Sequence, residues 1–302
     1  MNKMDSELIA DPQVDELTTM HAQDYRRAIG TILVERGRLR TSDVDKIDQY
    51  ATDRGLRFGD AAVQLKLATQ DDVDLALAQQ FDYPILMRGG AKGVADEVVA
   101  AYNPKSQVSE QLRALRSQLT LRWRNVANRK ALAITSAARG DGRSWLAANL
   151  ATVFAQAGDR TLLIDTDLRH PCQHRLFNVD NGMGLSALLT GRSVGPDLVR
   201  RIHPALRLFV LPAGTQPPNP QELLLRPAFD VVLNRFAQLF DVIILDTPAA
   251  TETADAQIVS ARAGAAVILA RSNRTRVTDL TATMESLTEI GVNVIGSVVN
   301  EH

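Results

Sequence analysis

Residues 130–144 read Lys-Ala-Leu-Ala-Ile-Thr-Ser-Ala-Ala-Arg-Gly-Asp-Gly-Arg-Ser, an apolar strand that runs into a glycine-bearing loop. From Ala137 the loop follows the pattern small-x-x-x-x-Gly-Lys-[Ser/Thr], with Gly142 and Ser144 in place and Arg143 where the lysine belongs. Between a strand and a helix, such a loop cradles phosphate. Its backbone N–H groups converge on the anion, and the helix N-terminus adds the positive end of its dipole. The residues expected on a nucleotide are therefore Ala138, Arg139, Gly140, Asp141, Gly142, Arg143, Ser144 and Trp145, with the Ser144 hydroxyl a Mg²⁺ ligand.

Two further segments complete the site. Residues 161–169 read Thr-Leu-Leu-Ile-Asp-Thr-Asp-Leu-Arg, and residues 242–248 read Val-Ile-Ile-Leu-Asp-Thr-Pro. Each is a buried strand ending in carboxylates, Asp165 and Asp167 in the first and Asp246 in the second. One such aspartate alone could cap a helix. Three of them at two strand ends, opposite a phosphate loop, make an oxygen-rich site suited to Mg²⁺, because ligands of open α/β sheets bind outside the carboxyl ends of the strands. The expected metal set is Ser144, Asp165, Asp167 and Asp246.

Around these segments strands and helices alternate. Strands are expected at 130–136, 161–165, 206–211, 241–246, 263–270 and 292–299, and helices at 144–156, 221–239 and 278–290. Continuous apolar strands separated by helices predict an α/β fold with a doubly wound, mostly parallel sheet buried on both faces.

The chain has 302 residues, 45% hydrophobic and 23% charged, enough for a substantial core and more than one domain. A net charge of −1 gives no reason to expect nucleic acid as a partner. The sole cysteine, Cys172, fits a reducing compartment. No run reaches the ~18–20 apolar residues of a membrane span, and no signal-peptide core follows Met1, so the expected location is the cytoplasm. His170, Cys172 and His174 lack a second ligand pair at zinc spacing and read as loop residues.

Residues 1–22 carry Asp5, Glu7, Asp11, Asp15 and Glu16 against Lys3, the composition of a disordered acidic tail. Residues 23–88 read as a small helical domain with an internal echo. Ile29-Gly-Thr-Ile-Leu-Val34 returns 29 residues later as Phe58-Gly-Asp-Ala-Ala-Val63. Each copy continues into a helix start, Ser42 with Asp45 and Thr69 with Asp72. Gly89, Gly90 and Gly93 mark a linker over 89–107, leaving 108–302 as the phosphate-loop domain. The helical stretch resembles the N-terminal module of type II secretion and pilus ATPases, some of which bind cyclic-di-GMP. Arg57, Gly59 and Gln80 match the binders' motif, but Lys66 replaces a glycine and Ala28 replaces the first copy's arginine. A docking module is the default reading and cyclic-di-GMP binding the alternative.

The loop, the Asp-x-Asp-x-Arg strand end at 165–169 and the strand end at Asp246 resemble the bacterial tyrosine kinases, relatives of the MinD and ParA ATPases. Glu110-Gln-Leu-Arg113-Ala-Leu-Arg116 is similar to that family's Glu-x-x-Arg-x-x-Arg helix, and residues 211–224 to its loop after the fourth strand. Over about 25–302 the chain is similar to stand-alone chain-length-determinant tyrosine kinases of exopolysaccharide clusters. The resemblance implies a P-loop NTPase (MinD/ParA-like) domain preceded by a small helical domain, with ATP and Mg²⁺ as cofactors. It implies that Asp165 and Asp167 hold the metal, that one of them helps to deprotonate an acceptor tyrosine, that Arg143 meets the phosphates and that Asn300 contacts adenine. It also implies a homo-oligomeric ring built through Glu110, Arg113 and Arg116, whose spacing lines one helical side. The implied partner is a membrane-embedded polysaccharide chain-length regulator that recruits the protein to the inner face of the plasma membrane.

The chain departs from the family pattern at several places. Arginine is a planar fork and lysine a compact point charge, so Arg143 keeps the binding charge, while a misplaced γ-phosphate can cost about 100-fold in rate. Trp145 replaces a hydroxyl residue that contacts the α-phosphate, and Ala138 stands at the MinD and ParA signature lysine. No tyrosine cluster occupies 298–302. The tyrosines are Tyr25, Tyr50, Tyr83 and Tyr102, which places the acceptor in the N-terminal region, with Tyr102 the best internal candidate, or on another protein. The expected function is an ATP- and Mg²⁺-dependent protein-tyrosine kinase regulating exopolysaccharide chain length, synthesis and export. The alternatives are a nucleotide-gated assembly switch without phosphotransfer and a MinD/ParA-like positioning ATPase.

Overall fold

The computed structural model describes residues 29–81, 83–86, 93–124, 130–192 and 198–301. The acidic segment 1–22, Tyr25, Ala28, Gly89 and Gly90 lie outside the described residues. The chain divides into two compact units, Met1–Pro84 and Ile85–His302.

The first unit contains the helices α1 (29–35), α2 (Thr41–Arg54), α3 (Phe58–Gln64) and α4 (Gln70–Gln80). The 29-residue echo is written in its backbone. The N–H of Gly37 donates to the Val34 carbonyl at 2.8 Å and that of Lys66 to Val63 at 2.9 Å; Arg38 and Leu67 repeat the match onto Leu33 and Ala62. Both turns pass through the left-handed region, with φ 67° at Gly37 and 56° at Lys66. The following helices then start alike. The N–H of Arg40 is held by the Asp43 carboxylate at 3.2 Å and that of Thr69 by Asp72 at 3.1 Å. The first capping pair is thus Arg40 with Asp43, two residues before the expected Ser42 and Asp45. Gly30 and Gly59 let each helix pair close: a Cβ on Gly59 would meet Val73 Cγ1 at 2.6 Å, and one on Gly30 would meet Val44 Cγ1 at 3.1 Å. Leu33, Ile47, Ala61, Ala62 and Ala76 are fully buried between the pairs.

The second unit is built on seven strands: β1 (Ala131–Ser136), β2 (Thr161–Asp165), β3 (Arg200–Arg201), β4 (Leu208–Leu211), β5 (Val242–Asp246), β6 (Ala265–Arg271) and β7 (Asn293–Asn300). Their order is β3-β4-β2-β5-β1-β6-β7, and every pairing is parallel except β3 with β4. Alternate residues of the central strands feed two cores. Leu132, Ile134, Leu163 and Ile244 point to a layer with Trp123 and Phe154, while Ala133, Leu162, Ile164 and Ile243 point to one with Phe229 and Leu287. The first layer holds α5 (Val99–Tyr102), α6 (Gln107–Leu119) and α7 (Arg143–Gln156); the second holds α10 (Pro220–Leu225), α11 (Pro227–Leu239), α12 (Asp255–Ala263) and α13 (Val277–Glu289). Two short helices, α8 (Gln173–Leu176) and α9 (Leu185–Leu189), follow β2.

Three sequence expectations change here. The segment expected as a linker over 89–107 contributes Val94, Val98, Ala100 and Ala101 to the core. Buried Asn149 fixes it, accepting the Ala100 N–H and donating to the Glu97 carbonyl, both at 3.0 Å. The single helix expected over 221–239 is two, because Pro227 cannot donate to the previous turn and holds Arg226 extended at ψ 141°. The strand expected from 263 starts at Ala265, because α12 runs to Ala263 and Gly264 closes it at φ 73°.

Candidate functional site

The loop 137–144 joins β1 to α7 and is hydrogen-bonded to the carboxyl ends of β5, β6 and β7 through Thr247, Arg271 and Asn300. It bounds a cavity of about 250 Å³ lined by Arg139, Gly142, Ser144, Trp145, Asp167 and Arg175, among others. Gly140 and Gly142 take φ 85° and 104°, conformations that favour glycine. The Ala138 N–H is occupied by Asp141 Oδ2 at 3.1 Å, which removes it from the donors expected for phosphate. Among the described residues, the N–H groups of 139–144 donate to no protein acceptor and are available to an anion.

Arg143 is buried, and Nε and Nη1 of its guanidinium are engaged by the protein. Nε donates to the Thr247 carbonyl at 3.0 Å, and Nη1 donates to Ser136 Oγ at 2.6 Å and to the Ala138 carbonyl at 2.7 Å. The guanidinium has five N–H donors in rigid geometry, so Nη2 remains for a ligand while Nε and Nη1 tie the loop to β1 and β5.

Asp165 and Asp246 stand opposite each other on neighbouring strands, both fully buried. Asp165 Oδ2 accepts the Cys172 and Gln173 N–H groups at 2.9 Å each. Asp246 Oδ2 accepts Gln173 Nε2 at 2.7 Å, and the same nitrogen donates to the Ser144 carbonyl at 3.0 Å. Burial, and then the Asp246 charge, push the Asp165 carboxyl well above the usual carboxylate range. Burial raises Asp246 to about 6, against the pull of the Gln173 amide, the Ser144 hydroxyl and the Arg143 charge. Asp167 borders the cavity, its Oδ1 held by the Arg169 and His170 N–H groups at 3.2 and 2.9 Å. Arg169 is fixed in turn by Asp255, Nε to Oδ2 at 2.8 Å. Burial pushes the Cys172 thiol up to about 12, so it stays protonated beside the cavity.

These residues fit a nucleotide-bound divalent cation. Asp246 Oδ1 is buried with no hydrogen-bond partner, a free acceptor beneath the loop. Among the described residues no three His, Cys, Asp or Glu side chains form a metal cage. Mg²⁺ does not require one, since it binds through one or two carboxylates, water and the phosphates themselves. A second cavity of about 420 Å³, lined by Trp145, Leu146, Leu269, Val298, Asn300 and Leu112 among others, shares Trp145 with the first and offers an apolar slot for a base.

Other expected residues are placed differently. Glu110 and Arg113 form an ion pair within α6, Arg113 also donates to the Pro104 carbonyl, and Arg116 Nη1 donates to the Val153 carbonyl of α7 at 2.8 Å. The Tyr102 hydroxyl donates to the Val94 carbonyl and is half-buried against the core, which argues against Tyr102 as the acceptor. Gln173, Thr247, Arg271 and Arg274 were not singled out by the sequence. Nothing in local spacing marks them, because each meets the site only through the fold.

A mostly parallel sheet with a phosphate loop after its first strand and carboxylates ending two neighbouring strands defines a P-loop nucleotide-binding protein. No family model matches the chain. The tyrosine-protein kinase YwqD of Bacillus subtilis is 36% identical over 204 residues, covering 67% of this chain and 85% of YwqD. The kinase domain of the Escherichia coli tyrosine kinase ETK superposes with a TM-score of 0.66 at 31% identity, over 71% of this chain and 83% of that domain. The MinD protein of Pyrococcus horikoshii, at 20% identity and a TM-score of 0.51, shares the fold. The chain belongs to the family of bacterial tyrosine-protein kinases. That membership favours the kinase expectation over the assembly switch and the positioning ATPase.

Proposed function

We propose that the protein transfers the γ-phosphoryl group of ATP to a tyrosine hydroxyl and thereby regulates exopolysaccharide synthesis and export. The observation that carries this is the in-register pair Asp165 and Asp246 beneath a loop with free N–H donors. Ser144 and Asp246 would hold Mg²⁺, with Asp165 and Asp167 directly or through water, and the ion supplies positive charge to the β- and γ-phosphates. The loop N–H groups and Arg143 Nη2 bind the phosphates. Asp167, on the cavity wall, accepts the tyrosine proton as the phenolic oxygen bonds to phosphorus and ADP departs with the old bridging oxygen. Trp145 and Asn300 border the slot for adenine.

The acceptor tyrosine lies on another protein or in the N-terminal region. No helix among the described residues is long and apolar enough to cross a membrane. A membrane-embedded chain-length regulator is the partner that would recruit the chain, and Glu110, Arg113 and Arg116 on α6 would meet a neighbouring subunit in a ring. The domain boundaries we propose are a helical docking module ending near Pro84, where cyclic-di-GMP is a second ligand to test, and a kinase domain from Ile85.

Incubation with ATP, Mg²⁺ and the regulator's cytoplasmic segment should yield phosphotyrosine, read by mass spectrometry. Asp165→Asn should abolish it while leaving the thermal transition in place. Absence of phosphotyrosine under every partner condition would overturn the kinase reading.

A further inference from the structure

The carbonyl of one residue and the N–H of the next share a rigid plane and point in opposite directions. Holding a carbonyl outside a loop therefore turns the following N–H inward. In the phosphate loop four consecutive carbonyls are engaged, and the last three are held by residues outside the cavity lining. Arg143 Nη1 and Ser136 Oγ donate to that of Ala138 at 2.7 and 2.8 Å. Arg274 Nη2 donates to Arg139 at 3.2 Å, Arg271 Nη1 to Gly140 at 3.1 Å and Asn300 Nδ2 to Asp141 at 3.0 Å. The N–H groups aimed by the three outside contacts are those of residues 140–142.

Three of the holders come from one edge of the sheet, far along the chain. Arg271 ends β6, Arg274 lies in the turn after it, and Asn300 ends β7. The turn is itself fixed: Thr275 Oγ1 accepts the Arg271 N–H at 2.8 Å, and the Ser272 N–H donates to the Asn300 carbonyl at 2.8 Å. The loop glycines make room for the approach. A Cβ on Gly140 would lie 2.8 Å from Arg274 Nη1, and one on Gly142 would lie 2.6 Å from Asn300 Nδ2. Among the described residues neither Arg271 nor Arg274 has a carboxylate partner; the hydrogen bonds that place their head groups go to the loop.

We propose that Arg271 and Arg274 are positioning residues that preorganise the phosphate loop by holding its Arg139 and Gly140 carbonyls outward. The proposal rests on the nucleotide-site reading but not on phosphotransfer. Preorganised donors bind an anion without the cost of ordering the loop.

The full-length protein with both Arg271→Ala and Arg274→Ala tests it. Titration with ADP and with adenosine separates phosphate binding from base binding, and amide hydrogen exchange of residues 138–144 without nucleotide reads the loop directly. The expected result is a roughly 10-fold loss of ADP affinity from two lost hydrogen bonds. Adenosine affinity and the melting temperature should be unchanged, and exchange across the loop faster. Unchanged ADP affinity would overturn the proposal. So would weaker ADP binding with unchanged loop exchange, since the arginines would then act as charges on the phosphates. A parallel fall in adenosine affinity and melting temperature would show a general structural role and overturn it too. Both readouts are made without an acceptor, so their failure is distinguishable from failure of the kinase reading.

Discussion

Arg143 divides its fork between two tasks. Nε and Nη1 secure the Thr247 and Ala138 carbonyls and the Ser136 hydroxyl, and Nη2 is left for phosphate. An ammonium has three donors at one point and could not hold these acceptors while also reaching a ligand. Beneath it lie Asp165 and Asp246, the carboxylates proposed for the metal. With Asp246 raised to about 6, this carboxyl holds more proton in the metal-free folded chain than in the unfolded chain between pH ~4 and ~6. Its contribution to stability therefore falls as pH rises through that window. Mg²⁺ needs the charged carboxylates, so the gain in melting temperature on adding Mg²⁺-ADP should be larger at pH 7.5 than at pH 5. Thermal unfolding at the two values checks this, and an equal gain at both would contradict the assigned pair.

Element by element, the chain is legible wherever a local rule operates. The echo at 29 residues, the Thr69 cap and the strands before Asp165 and Asp246 follow from spacing alone. Expectations failed where a single residue overrode the pattern, as Pro227 does in splitting α10 from α11 and Gly264 in delaying β6. The short run 98–102 was hidden behind glycines and reads as linker until Asn149 is seen to bind it. Lys66 shows the opposite case, a residue the sequence marks as out of place. It occupies the left-handed turn that Gly37 occupies in the first copy. A side chain there costs about 1–2 kcal/mol, partly returned by glycine's larger unfolded-state entropy. Lys66→Gly should therefore stabilise the N-terminal unit by roughly 0.5–1 kcal/mol in urea unfolding. A loss of stability would mean that the Lys66 side chain makes a compensating contact.

For the whole molecule, the two units each carry a core of their own, one around Leu33 and Ile47 and one on the two faces of the sheet. A chain of residues 85–302 should thus fold cooperatively and bind ADP within about twofold of the full-length protein, given that every loop contact described comes from that unit. Calorimetry and titration check it, and a truncated chain that melts without a cooperative transition would refute the division. The sequence by itself determined the α/β class, the phosphate loop and the carboxylate strand ends, because each is a pattern within a few residues of one strand or turn. Only the tertiary structure decided what surrounds them. Arg143 meets Thr247 104 positions away, Gln173 meets Asp246 at 73, and Arg271 meets Gly140 at 131. Contacts at such separations leave no periodicity in the chain; they exist because a parallel sheet brings the carboxyl ends of distant strands to one edge.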